Sequence, residues 1–114
     1  MRGLTVAEPA SQEEYVRRVL QAYCETQGTT GRVIQPDRLL AAQLHQRGVP
    51  FEAVENALIL AAARRLFRPA DALPLTTVRS LAYFLPVIEE VLEGKISPDY
   101  FRYARNKLHR FYSA

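Results

Sequence analysis

Apolar side chains recur at spacings of three and four through most of this chain, the period of an amphipathic helix. No window alternates apolar and polar residues as a half-buried strand would, and no hairpin dipeptide such as Asn-Gly occurs. Helix starts and stops punctuate the pattern. Ser11, with Glu14 three positions on, makes a capping box: the hydroxyl accepts an early helical N–H and the carboxylate reaches back. Tyr15, Val16, Val19, Leu20 and Tyr23 then share one face, predicting a first helix from Ser11 to about Thr26 that stops at Gly28. Pro36 suits a first helical turn, where its missing N–H would be unpaired anyway. Asp37 adds a favourable charge beside that helix N-terminus. Leu39, Leu40 and Leu44 give the second helix a short stripe, ended by Gly48.

Val49-Pro50 opens the third helix at once, with Phe51, Val54, Leu58, Ala61, Ala62 and Leu66 on its face. Leu60 and a run of alanines make it apolar around much of its girth, which predicts a place at the centre of a bundle. Arg68-Pro69 closes it, and residues 70–74 form a Pro-bounded loop. Thr76 or Thr77 is placed to cap a fourth helix holding Val78, Leu81, Phe84, Leu85, Ile88, Val91 and Leu92. Pro86 interrupts it, predicting a kink or two short helices meeting near Leu85. Ser97-Pro98-Asp99 starts a last helix from about Pro98 to Tyr112. The expected fold is all-α: a compact bundle of five or six helices, the fourth kinked or broken near Pro86, with a basic amphipathic C-terminal helix. Residues 11–114 would form that single helical domain behind a flexible arm, residues 1–10.

A length of 114 residues suits one domain with a real core. Cys24, the lone cysteine, falls in an apolar helical pattern and reads as a small core residue of a protein kept in a reducing setting. Met1-Arg2-Gly3-Leu4 is not followed by the apolar stretch of a secretory signal, and no apolar run approaches the roughly 18 residues of a membrane span. A cytoplasmic location with no membrane contact is therefore expected.

The net charge of +3 is unevenly held. Residues 1–94 carry ten Arg and no Lys against eleven acids, whereas residues 95–114 carry Lys95, Arg102, Arg105, Lys107 and Arg110 against Asp99 alone. The whole excess of positive charge sits in the last twenty residues, which points to an anionic partner.

Candidate chemistry is sparse. Two His and one Cys lie in different segments, so no metal site is expected. Glu89, Glu90 and Glu93 read as a solvated helix face. The loop Gly28-Thr29-Thr30-Gly31-Arg32 lacks the Gly-Lys-Ser/Thr ending of a phosphate-binding loop and follows a helix, so it reads as a stop and a turn. No catalytic residue, cofactor or small-molecule substrate is expected, and the protein is not read as an enzyme. Residues 40–58 have the spacing of a helix-turn-helix, but Phe51, Glu52 and Glu55 would meet a polyanion there, which favours a plain αα-hairpin. His45 and His109 are expected on exposed helix faces.

The last helix is the better binding candidate. Phe101, Ala104, Leu108 and Phe111 form a docking stripe, flanked by Arg102, Arg105, Lys107 and Arg110 with Tyr100 and Tyr103 among them. Cations neutralise phosphates, and exposed aromatics stack on unpaired bases. Arg64, Arg65 and Arg68 form a second basic cluster at the end of the third helix, which the helix dipole alone would favour. The alternative is a small helical protein–protein subunit of a larger, even nucleoprotein, complex, since Tyr and Arg are favoured at such interfaces.

Residues 47–94 add a family resemblance. Gly48-Val49, Glu52, Val54, Ala57 and Ala61, followed by Ser80-Leu81-Ala82-Tyr83-Phe84 and Ile88, resemble the DnaD-like helical domain of replisome-organising proteins and of plasmid and phage replication initiators. That resemblance implies a DNA-associated accessory protein of replication or of a mobile element, binding through a basic C-terminal extension, and favours DNA over RNA.

Overall fold

The described chain folds into α1 (Gln12–Glu25), α2 (Gln35–Gln46), α3 (Phe51–Leu66), a 3-10 helix (Leu81–Phe84) running straight into α4 (Leu85–Leu92), and α5 (Pro98–Tyr112). The structure, a computed structural model, describes residues 11–113. The arm expected over residues 1–10 lies outside the described residues, as does Ala114. The expected all-α bundle forms, and the fourth helix is broken at Leu85 as Pro86 foretold. Pro86 occupies the first turn of α4, where its missing N–H costs no helical bond.

Each helix starts for a local reason and is held by a distant one. Ser11 Oγ accepts the Glu14 N–H at 3.1 Å, which fixes the start of α1. The buried face of α1 then presents Tyr15, Val19, Leu20 and Tyr23. Tyr15 donates its hydroxyl to the Val49 carbonyl at 2.7 Å, holding the α2–α3 turn against α1. Gly48 makes that turn with φ of +76°, in the left-handed region glycine enters without strain. Both α2 and α3 pack on α1 far more than on each other, so the closed αα-hairpin expected over residues 40–58 is not formed. His45, expected on an exposed face, is half-buried, with its ring edge-on to Tyr15 at 5.0 Å.

The centre of the bundle is α3, which contacts α1, α4 and α5. Its own Val54 and, around it, Tyr23, Leu44, Leu81, Phe84 and Ile88 are fully or almost fully buried, with Tyr23 and Phe84 edge-to-face at 6.0 Å. Each such side chain contributes on the order of 1.5–3 kcal/mol on burial, so this cluster dominates stability.

Between α3 and α4 the expectation fails over residues 76–80. Neither Thr76 nor Thr77 caps a helix. Val78 is instead extended: it donates its N–H to the Gly28 carbonyl at 2.8 Å and accepts the Thr30 N–H at 2.9 Å. This isolated bridge covers a buried Val78 side chain and ties the loop after α1 to the approach to α4. Helix then starts at Leu81, whose N–H bonds a side chain from α2. Asp37 is 1% exposed; its Oδ2 accepts the Ile34 N–H at 3.0 Å and its Oδ1 accepts the Leu81 N–H at 2.9 Å.

Candidate nucleic-acid interface

Ser97 Oγ accepts the Tyr100 N–H at 3.2 Å and sets the first turn of α5. From there α5 lies on α3 by a narrow seam, with Ala104 buried and Phe101 and Leu108 half-buried. Phe111, expected to complete the seam, is 60% exposed and borders the clefts at the end of α3. A helix advances about 100° per residue, so this seam assigns the remaining positions. Arg102, Arg105 and His109 fall on one flank, Asn106 faces outward, and Tyr100, Tyr103, Lys107 and Arg110 share the other flank.

The two basic clusters are in different situations. On α5, Arg102 meets Asp99 at 3.0 Å in an exposed pair of little energetic weight. Arg105, Lys107 and Arg110 are exposed, with no hydrogen bond or ion pair among the described residues. At the end of α3 every guanidinium is engaged. Arg64 forms a two-pronged pair with Glu90 at 2.8 and 2.6 Å. Arg65 donates to the Thr76 carbonyl at 3.0 Å and lies 6.0 Å above the Tyr83 ring. Arg68 donates to the Leu73 carbonyl at 2.7 Å. Of the two clusters, the one on α5 is therefore the one left unengaged, and the α3 cluster holds the loop and α4 in place.

The acids of α4 are structural too. The side chains of Glu89 and Glu90 face solvent in part, as expected of a solvated face, but they are engaged: Glu89 takes a two-pronged pair from Arg47 at 2.9 and 3.1 Å. Hydrogen bonds from Arg47 and Arg64 hold both carboxyls below the ordinary carboxylate value. Cys24 is half-buried; burial first, then the charges of Asp37 and Glu25, push its thiol up and away from nucleophilic character.

The flanks of α5 differ in charge. Arg105 borders a cleft of about 540 Å³ that also holds Glu25 and Glu55, so its surroundings are mixed. Lys107 and Arg110 border a cleft of about 470 Å³ lined otherwise by Leu66, Phe67 and Phe111, without an acid. Phe67 is 39% exposed, and its ring centre lies 6.2 Å from that of Tyr103, itself 49% exposed. Sequence reasoning passed over Phe67, whose only signal was an aromatic among three arginines at a helix end.

Among the described residues no group of three His, Cys, Asp or Glu gathers to hold a metal, and no helix is long and apolar enough to cross a membrane. No protein-family model, no curated protein and no solved structure matches the chain.

Proposed function

We propose that this protein is a nucleic-acid-binding accessory protein that holds phosphates on the exposed flanks of α5. The observation that carries the reading is the contrast between the two clusters: Arg105, Lys107 and Arg110 are exposed and unpaired among the described residues, whereas Arg64, Arg65 and Arg68 are bonded within the fold. An unpaired cation on a docked helix meets a phosphate without first breaking an internal contact. Association with DNA, and with replication or a mobile element, belongs to the same proposal and rests on the resemblance of residues 47–94.

A second reading, a protein–protein subunit, is favoured by the exposed apolar side chains of the α3–α4 loop, Leu73 at 81% and Leu75 at 43%.

Fluorescence anisotropy at several salt concentrations separates the two. Phosphate contacts give a log–log salt slope of about −0.9 per contact on duplex and about −0.7 on single strands. Arg105→Ala with Arg110→Ala is expected to flatten the slope by roughly one to two units. Wild-type binding that is no steeper in salt than that of the double variant would leave the subunit reading in its place.

A further inference from the structure

We infer that the acid-free flank of α5 is a platform for an unpaired strand, with bases stacking on Tyr103 and Phe67 and phosphates lying on Lys107 and Arg110. The inference rests on the nucleic-acid reading above and adds to it the strand type and a binding residue from α3.

Three rings form a row across two helices. Tyr100 and Tyr103 lie 6.0 Å apart on α5, and Phe67, at the end of α3, lies 6.2 Å from Tyr103 at an interplanar angle of 40°. Tyr103 and Phe67 are each roughly half exposed, so the row leaves aromatic surface open to solvent. Lys107 lies about 6 Å and Arg110 about 10 Å beyond Tyr103 along the helix axis, at 1.5 Å per residue. A strand following this flank meets rings first and then two cations, over a span of a few nucleotides.

The chemistry favours an unpaired strand over a duplex. Exposed rings contribute by stacking on base faces, and in a duplex those faces are covered by neighbouring base pairs. It also favours nucleic acid over a protein partner. Arg and aromatic residues suit a protein interface as well, but its centre is depleted of Lys, whereas here Lys107 lines the cleft beside Arg110, Phe67 and Phe111 with no acid to meet it. The opposite flank, where Arg105 shares its cleft with Glu25 and Glu55, still offers a cation to a phosphate but has no such row of rings beside it.

The test compares labelled oligo-dT with a duplex of equal length, using the full chain, Phe67→Leu, Tyr103→Leu and the double variant. Leucine keeps the apolar contact and removes the π face. Should Phe67→Leu fail to fold, Tyr103→Leu on the exposed flank carries the test alone. Each substitution is expected to weaken oligo-dT binding by roughly tenfold while duplex affinity stays within about twofold. The chain has six Tyr and no Trp, so its emission reports tyrosine directly. Oligo-dT is expected to quench that emission in the wild type and less so in Tyr103→Leu. Equal weakening on both ligands, or none on oligo-dT, overturns the platform while salt-dependent binding keeps the wider reading. Absence of salt-dependent binding by the wild type overturns both.

Discussion

Oδ1 of Asp37, at the start of α2, accepts the backbone N–H of Leu81 at 2.9 Å, and so the first turn of one helix supplies the cap of another far along the chain. The other oxygen caps its own helix through Ile34 N–H. Removing the carboxylate leaves two donors without partners, one of them buried. Asp37→Ala is expected to cost roughly 2–4 kcal/mol in urea unfolding. Asp37→Asn also loses, because one carboxylate oxygen becomes an NH₂ facing an N–H. A loss below about 0.5 kcal/mol in both would show that the contact does not hold these elements together.

Glu89 and Glu90 make stability depend on acid. Both carboxyls ionise more readily in the fold than at their ordinary value of 4.5, because Arg47 and Arg64 hydrogen-bond the charged form. The contribution of the pairs is complete above 4.5 and is lost as pH falls through the lowered folded values, since the unfolded chain then takes up more protons. The urea midpoint of the wild type is expected to fall between about pH 6 and about pH 3. Glu89→Gln with Glu90→Gln flattens that profile, by a modest amount because the pairs face solvent. Parallel profiles in the two proteins would assign the acid sensitivity to other carboxylates.

Gly28 and Gly48 both have positive φ, +94° and +76°, yet they predict different costs. A Cβ at Gly28 would sit 2.9 Å from Arg65 Nε, whereas one at Gly48 meets nothing within 4 Å. Arg65 is pinned by the Thr76 carbonyl, so it does not move aside freely. Gly48→Ala carries only the conformational strain of about 1–2 kcal/mol. Gly28→Ala is expected to cost more, as read from chemical unfolding. Equal losses would show that Arg65 gives way without penalty.

Arginines on α3 and α5 are expected to trade places in two assays. Replacing Arg64, Arg65 and Arg68 with Ala should lower stability by about 1–2 kcal/mol, since solvent-facing pairs and carbonyl bonds are each modest. The salt slope of binding should then change by less than about half a unit. Replacing Arg105 and Lys107 should do the reverse. A slope that falls with the α3 cluster would mean those side chains leave their partners to bind.

Local signals made most of the fold legible in advance. Ser11, Ser97 and Pro86 each act within one turn, and α1, α3 and α5 begin and end within a few residues of where those signals place them. The misses have distant causes. Residues 76–80 become extended because Gly28 and Thr30 supply bridge partners, and Asp37 is buried because Leu81 arrives beside it. Neither pairing leaves a trace in local periodicity. For the binding surface, charge segregation located α5. Separating engaged from unengaged arginines required knowing that Glu90 and the Thr76 and Leu73 carbonyls lie within reach.

The narrow seam under α5 divides the molecule into a chassis and a handle. The main core draws its buried residues from α1 through α4, and α5 adds Ala104 as its one fully buried residue. Substitutions on the outward side of the handle touch nothing that the chassis needs, so their effects on folding and on affinity should be additive. Such an arrangement leaves the ligand-facing charge open to tuning over many small steps, each nearly silent in thermal stability.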